Sequence, residues 1–334
     1  MKTITLPQKD RLDSELERQS QPLAHDFKST KPKNLGRRIV ENWQVYLMIA
    51  PNVLMFLVFS IYPIFWALRY MFFEYDGLNE ATFIGLDNFV RVFTRDEIFW
   101  QSVLNTLVFA VGKLLLTLPL ALVLAVLLNN RLRASGILQA VYFMPTVMGT
   151  AVMSLVFYLI FNPYNGAVNQ MLTAIGAVKK PLDWLGVGLA MLTVIILAAW
   201  GGLGNYMVLF LAGLQTIPKE LEEAATLDGA SKPRIFLFIT IPLLGPVMQI
   251  VLLLAIINAL KGYESIMVLT GGGPADQTQV MNLYVYKLFF PLSAGQSYTP
   301  EFGYGSAAGV VTSLIIGIIT VVYLWSSRRM DKIN

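Results

Sequence analysis

The chain keeps its potential chemistry in a few polar side chains set inside or at the ends of long apolar runs. Lys113 lies in a run from about 105 to 128. Trp200 and Asn205 lie in one from about 187 to 212. Asn258, Tyr263 and Glu264 close one that starts near 237. An ammonium group, two carboxamides, a carboxylate and aromatic faces are groups that bind, and a hydroxyl-rich ligand is what they would suit. A lysine at the centre of a bilayer costs about 2.5–3.5 kcal/mol, so Lys113 faces a pathway, snorkels, or meets a partner. A lipid-facing amide is also costly, which makes Asn205 and Asn258 pathway candidates. Tyr and Trp equally form interfacial belts, and belt or packing is the plainer reading of Trp200 and Tyr263.

Reactive chemistry is missing. There is no cysteine, and the one histidine, His25, lies in a polar N-terminal stretch. Thiolate, triad and histidine-metal chemistry are excluded, and we assign no catalytic residue, no metal and no cofactor of the chain's own. Gly271-Gly272-Gly273 is followed by Pro274 and Ala275. A phosphate-cradling loop needs Lys-Ser/Thr ahead of a helix at that point. Glu264, Asp276 and Glu301 form no acid/base motif.

A second informative stretch is polar and lies between two apolar runs: QTIPKELEEAATLDGASKPRIFLFITIPLLGP, residues 215–246. Pro218 fits the first turn of a helix, where no backbone donor is needed. Glu220, Glu222 and Glu223 follow near the positive end of the helix dipole. Leu221, Ala224, Ala225 and Asp228 recur at helical spacing, and the alanines permit close approach. Asp228-Gly229 predicts a turn. Ser231 predicts the cap of a second helix, with Pro233 in its first turn, running on through 235–244.

The elements that position these groups are membrane helices. Of 334 residues, 55% are hydrophobic and 14% charged, and the mean hydropathy is +0.59. This is the composition of a polytopic membrane protein. Charge-poor runs predict an all-α bundle of six transmembrane helices at about 46–73, 105–128, 137–161, 187–212, 237–260 and 306–327. Residues 1–45 carry nine Lys and Arg and no apolar signal segment, and are expected to form a flexible cytoplasmic tail near anionic lipid. With both termini cytoplasmic, seventeen Lys and Arg fall inside and six outside. The positive-inside rule selects that orientation, which makes the 215–236 loop and residues 328–334 cytoplasmic.

The polar stretch resembles the EAA loop of inner-membrane permease subunits of ATP-binding-cassette importers. The likeness rests on Glu223-Ala224-Ala225, Asp228-Gly229-Ala230-Ser231 and Ile241-Pro242-Leu243. Ala212-Gly213-Leu214-Gln215-x-Ile217-Pro218 points to the carbohydrate-type members. Gly85-Leu86-Asp87-Asn88-Phe89, Asn105-Thr106 and Leu269-Thr270-Gly271-Gly272-Gly273-Pro274 extend it over about residues 46–327, a transmembrane permease domain with its coupling loop at 215–236.

The resemblance implies a subunit, without an ATPase site, of a binding-protein-dependent sugar importer in a bacterial inner membrane. It implies a second homologous permease, a cytoplasmic ATPase dimer that binds ATP-Mg, an external solute-binding protein and a carbohydrate, expected to be an oligosaccharide; no nucleic-acid partner is expected. Glu223, Ala224, Ala225, Asp228 and Gly229 would couple the ATPase to alternating access. Lys113, Trp200, Asn205, Asn258, Tyr263 and Glu264 remain the substrate-pathway candidates. Rival readings are an ion-coupled secondary transporter, a membrane-bound glycosyltransferase, and an importer permease for a polyol or glycerol phosphate. The first needs intramembrane carboxylates, and none lies well inside a predicted span.

Overall fold

Proline and glycine, more than hydrophobic periodicity, divide this apolar sequence into elements. The computed structural model describes residues 42–129, 135–290 and 299–330. Most of the predicted tail, His25, Arg131, Arg133 and residues 331–334 lie outside the described residues.

The chain divides into two compact units, 1–63 and 64–334. In the first, α1 (Trp43–Phe56) passes into a π-helical turn at Leu57–Ile61, and none of these residues is buried. Pro63 follows that turn, as Pro242 follows a second π turn at Phe236–Thr240. Each turn ends two residues before its proline. Proline cannot bond the carbonyl of residue i−4 and its ring crowds it; here those residues are Phe59 and Phe238, and each lies in the widened turn.

Helix α2 (Tyr62–Arg69) begins at the boundary between the units. A two-residue-per-strand hairpin follows, β1 (Phe73–Glu74) pairing antiparallel with β2 (Thr82–Phe83), which the helical reading of the sequence did not include. Next come α3 (Asp87–Thr94) and α4 (Glu97–Asn129). The predicted stretch up to Trp100 and the second span therefore overlap in one 33-residue helix.

The third predicted span is broken. α5 (Ser135–Val147) and α6 (Thr150–Ile160) meet at 98°. Pro145 weakens the end of α5, and Gly149 is extended (φ −62°, ψ 137°), so the helix stops and restarts. After α7 (Ala167–Ala174), α8 (Ala190–Leu214) and α9 (Lys219–Leu227), α10 (Lys232–Ile235) continues through the π turn into α11 (Ile241–Lys261). The last elements are α12 (Glu264–Leu269), α13 (Met281–Phe289) and α14 (Phe302–Met330). Among the described residues five helices are long and apolar enough to cross a membrane, or six if the bent pair is one span.

Small residues set the packing at the centre of the second unit. Ala121 and Ala125 of α4 are fully buried beside Met207, Phe210 and Leu211 of α8 and Leu244 of α11. A Cβ at Gly204 would come within 2.8 Å of the Phe143 Cα, and one at Gly213 within 2.8 Å of Val247. Close approach through small residues is how helices associate where the solvent is as apolar as their side chains.

Candidate functional site

Five of the six pathway candidates line one cavity. Lys113 comes from α4, Asn205 from α8, Asn258 from α11, Tyr263 from the turn after it and Glu264 from the first turn of α12. The space they enclose is about 310 Å³. The turns of α8 explain the convergence, because Leu197, Ala198, Gly201, Gly202 and Asn205 share a face and the glycines leave room beside it. Trp200 does not line this cavity. It sits off that face and is exposed, with its ring 5.5 Å from that of Phe157.

The Lys113 ammonium lies 5.9 Å from the centre of the Phe109 ring. The hydroxyl of Tyr206 meets the side chain of Asn258. Thr146 donates to the Gly201 carbonyl at 3.1 Å and holds α5 to α8 at the cavity wall. Asn205 and Asn258 are not covered by the rest of the chain. Thr150, Tyr206 and Ser265 add hydroxyls that the sequence reading did not single out. Gly201, Gly202 and Gly262 lie at the cavity and leave room there, but glycine is common in membrane helices and so was no signal by itself.

The polar 215–236 stretch folds as a helix-turn-helix. Pro218 is the N-cap of α9 in extended geometry (φ −60°, ψ 129°), one position before the helical turn predicted for it. At the other end Ala230 N–H bonds the Ala225 carbonyl at 2.9 Å and Gly229 N–H bonds that of Thr226 at 3.1 Å. Together they make a Schellman stop, with Asp228 as C-cap and Gly229 at φ +81°. Ser231 is the N-cap of α10, but its hydroxyl makes no capping bond; its carbonyl receives Arg234 and Ile235 N–H. No residue of α9 is buried. Glu223 lines a groove of about 860 Å³ with Asn129, Leu214, Gln215 and Thr226, while Ala224 is exposed and Ala225 half-buried.

At the opposite set of loops, the family-like segments act as fasteners. The Asn88 amide donates to the carbonyls of Met71 (3.1 Å) and Phe73 (3.0 Å), which ties α3 to the hairpin. The Asn105 amide donates to the carbonyls of Asp276 (2.8 Å) and Gln279 (3.0 Å), and Thr278 donates to the Gly273 carbonyl at 2.7 Å. The glycine loop is thus a packed bracket. Gly272 is at φ +91°, and a Cβ there would come within 2.3 Å of Gln279 Oε1.

Three further hubs were invisible in the sequence. Asp96 caps α4 through the Phe99 N–H at 2.9 Å and also accepts the hydroxyls of Tyr284 and Tyr304. Burial, and then the Asp96 carboxylate, push the Tyr284 phenol well above its ordinary value, which keeps it a donor. Arg91 pairs with Glu301, with its guanidinium 3.7 Å from the centre of the Tyr304 ring. Asn169 binds Pro163 and Leu182 carbonyls and accepts from Leu182 N–H and the Trp184 indole.

A multi-pass helical bundle with a polar cavity between its spans and an uncovered polar helix beyond them defines a membrane transport subunit. Residues 117–332 match the family described as "Binding-protein-dependent transport system inner membrane component". This chain belongs to that family: it is a permease subunit, and the ATPase of such a system is a separate subunit. It is 35% identical to the trehalose/maltose transport system permease protein MalF of Thermococcus litoralis, over 85% of this chain and 93% of that one. It is 34% identical to the arabinooligosaccharides transport system permease protein AraP of Bacillus subtilis, over 84% and 87%. Its fold is similar to a chain of a bacterial transporter that imports the acidic polysaccharide alginate, with a TM-score of 0.76, 25% identity, and 88% and 98% of the two chains covered.

Proposed function

We propose that the chain is the permease subunit through which an ATP-driven, binding-protein-dependent importer passes an oligosaccharide by alternating access. The observation that carries this reading is the convergence of Lys113, Asn205, Asn258, Tyr263 and Glu264 on one cavity among the spanning helices. Amides, hydroxyls and an aromatic face can hold a polyhydroxylated ring without committing to a covalent step. Exposed amides on spanning helices would be costly against lipid, so a partner subunit or a water-filled path covers that face. A second, homologous permease chain is the natural cover.

In this reading the uncovered α9 helix docks on the ATPase dimer, and Glu223 meets donors of that partner in a charge-assisted bond. Ala224 and Ala225 let the helix seat, and the Asp228-Gly229 turn passes its motion to α11 as near-rigid-body movement. Both termini and this loop face the cytoplasm of a bacterial cell, and the external solute-binding protein seats on the face formed by the hairpin, α3, α7 and α13. The permease domain spans 46–327, with a tail at 1–45.

Relatives named for trehalose/maltose, lactose and arabinooligosaccharides favour a sugar over a polyol or glycerol phosphate. The test is ATP-dependent uptake into proteoliposomes holding both permeases and the ATPase, with the cognate binding protein outside. Oligosaccharide uptake that falls at least about tenfold in Asn258→Leu, with assembly intact, is expected. Uptake driven by an ion gradient without ATP would reject the reading.

A further inference from the structure

Two charged side chains line the membrane cavity, Lys113 and Glu264, and they do not bridge each other. The described residues form ion pairs at Arg91–Glu301 and Arg95–Asp87, and neither cavity charge belongs to one. Lys113 is half-buried beside the Phe109 ring, whereas Glu264 is exposed at the start of α12. Every other residue lining the space is neutral, so the lining carries no net charge.

That arrangement discriminates between ligands. A neutral sugar can accept from the ammonium and donate to the carboxylate, and both bonds are charge-assisted. A carboxylate-bearing sugar would gain from Lys113 and lose to Glu264. We infer that Glu264 is a specificity-determining residue of this cavity, which by offsetting Lys113 selects uncharged over acidic glycans. The inference rests on the carbohydrate reading above and adds to it the charge of the substrate: relatives are named for trehalose/maltose, lactose and arabinooligosaccharides, which are neutral, whereas a structural neighbour belongs to a transporter that imports an acidic polysaccharide.

The test uses the assembled permease–ATPase complex in nanodiscs without the external binding protein, so that protein's own selectivity does not enter. Saturation-transfer NMR compares maltotriose, lactose and arabinotriose with trigalacturonate. Wild type is expected to favour a neutral sugar by at least about tenfold. Glu264→Gln is expected to cut the neutral-to-acidic ratio by about tenfold, which is ~1.4 kcal/mol. Glu264→Asp should keep the preference, and Lys113→Gln combined with Glu264→Gln should restore it. An unchanged ratio in Glu264→Gln, with neutral sugar still bound, overturns the role of Glu264 and leaves the carbohydrate reading standing. A wild-type complex that binds neither class overturns both.

Discussion

The hydroxyl of Thr106 on α4 accepts the backbone N–H of Met281 at 2.9 Å, joining residues 175 positions apart. Both residues are fully buried, and Met281 opens α13, so this bond and the Asn105 bonds beside it fix where α13 meets the long helix. Thr106→Val keeps the shape and orphans a buried donor, which costs about 1–3 kcal/mol. Thermal unfolding of the purified complex should show the loss, while Thr106→Ser, which keeps the acceptor, stays near wild type.

The contact between α5 and α8 has no spare volume. A methyl at Gly204 would come 2.7 Å from Thr146 Oγ1 and 2.8 Å from the Phe143 Cα, and the second contact is backbone. Gly204→Ala is expected to destabilise by about 1–3 kcal/mol. Because Thr146 also holds the cavity wall, uptake should fall as well, with both effects read on one preparation.

At Gly229 the constraint is conformational. No atom lies within 4 Å of an added Cβ, but the backbone is at φ +81°. Gly229→Val should leave membrane insertion unchanged and uncouple ATP hydrolysis from uptake. Gly229→Asn, which tolerates the left-handed region, should retain most of both. Full uptake by the valine variant would show that the turn does not transmit the motion.

The Tyr284–Asp96 bond gives a pH signature. A phenol whose folded pKa lies above its unfolded value contributes stability below the unfolded pKa, about 10, and that stability is lost as pH rises beyond it towards the folded pKa. The wild-type unfolding temperature should therefore fall steeply above about pH 10. Tyr284→Phe should be less stable at neutral pH and show a flatter alkaline limb.

Much of this architecture can be read from residues, and the exceptions have physical causes. Lys113, Asn205, Asn258 and Glu264 stood out because a polar group in an apolar run needs a reason, and the structure gathers them on one cavity. Trp200 was an ambiguous candidate, since an indole suits a cavity, a belt or a core alike, and here it lies off the cavity face beside the Phe157 ring. Tyr206 was overlooked for the same cause. The break between α5 and α6 was announced by Pro145 and Gly149, but membrane helices tolerate proline, so the pair did not demand a 98° bend. Asp96 holds α4 to α13 and α14 through Tyr284 and Tyr304, 188 and 208 residues away, a kind of information that local pattern does not contain.

The most direct test of the account is co-purification of the tagged chain from gently solubilised native membranes, alongside Glu223→Arg. Glu223 lines the groove beside α9, whose residues are all unburied, so reversing its charge should disturb the docked partner and little within the chain. The account predicts that wild type brings down an ATPase and a second permease, and that the variant keeps the permease and loses the ATPase. Recovery of the wild-type chain alone, in a detergent that preserves such complexes, would contradict it.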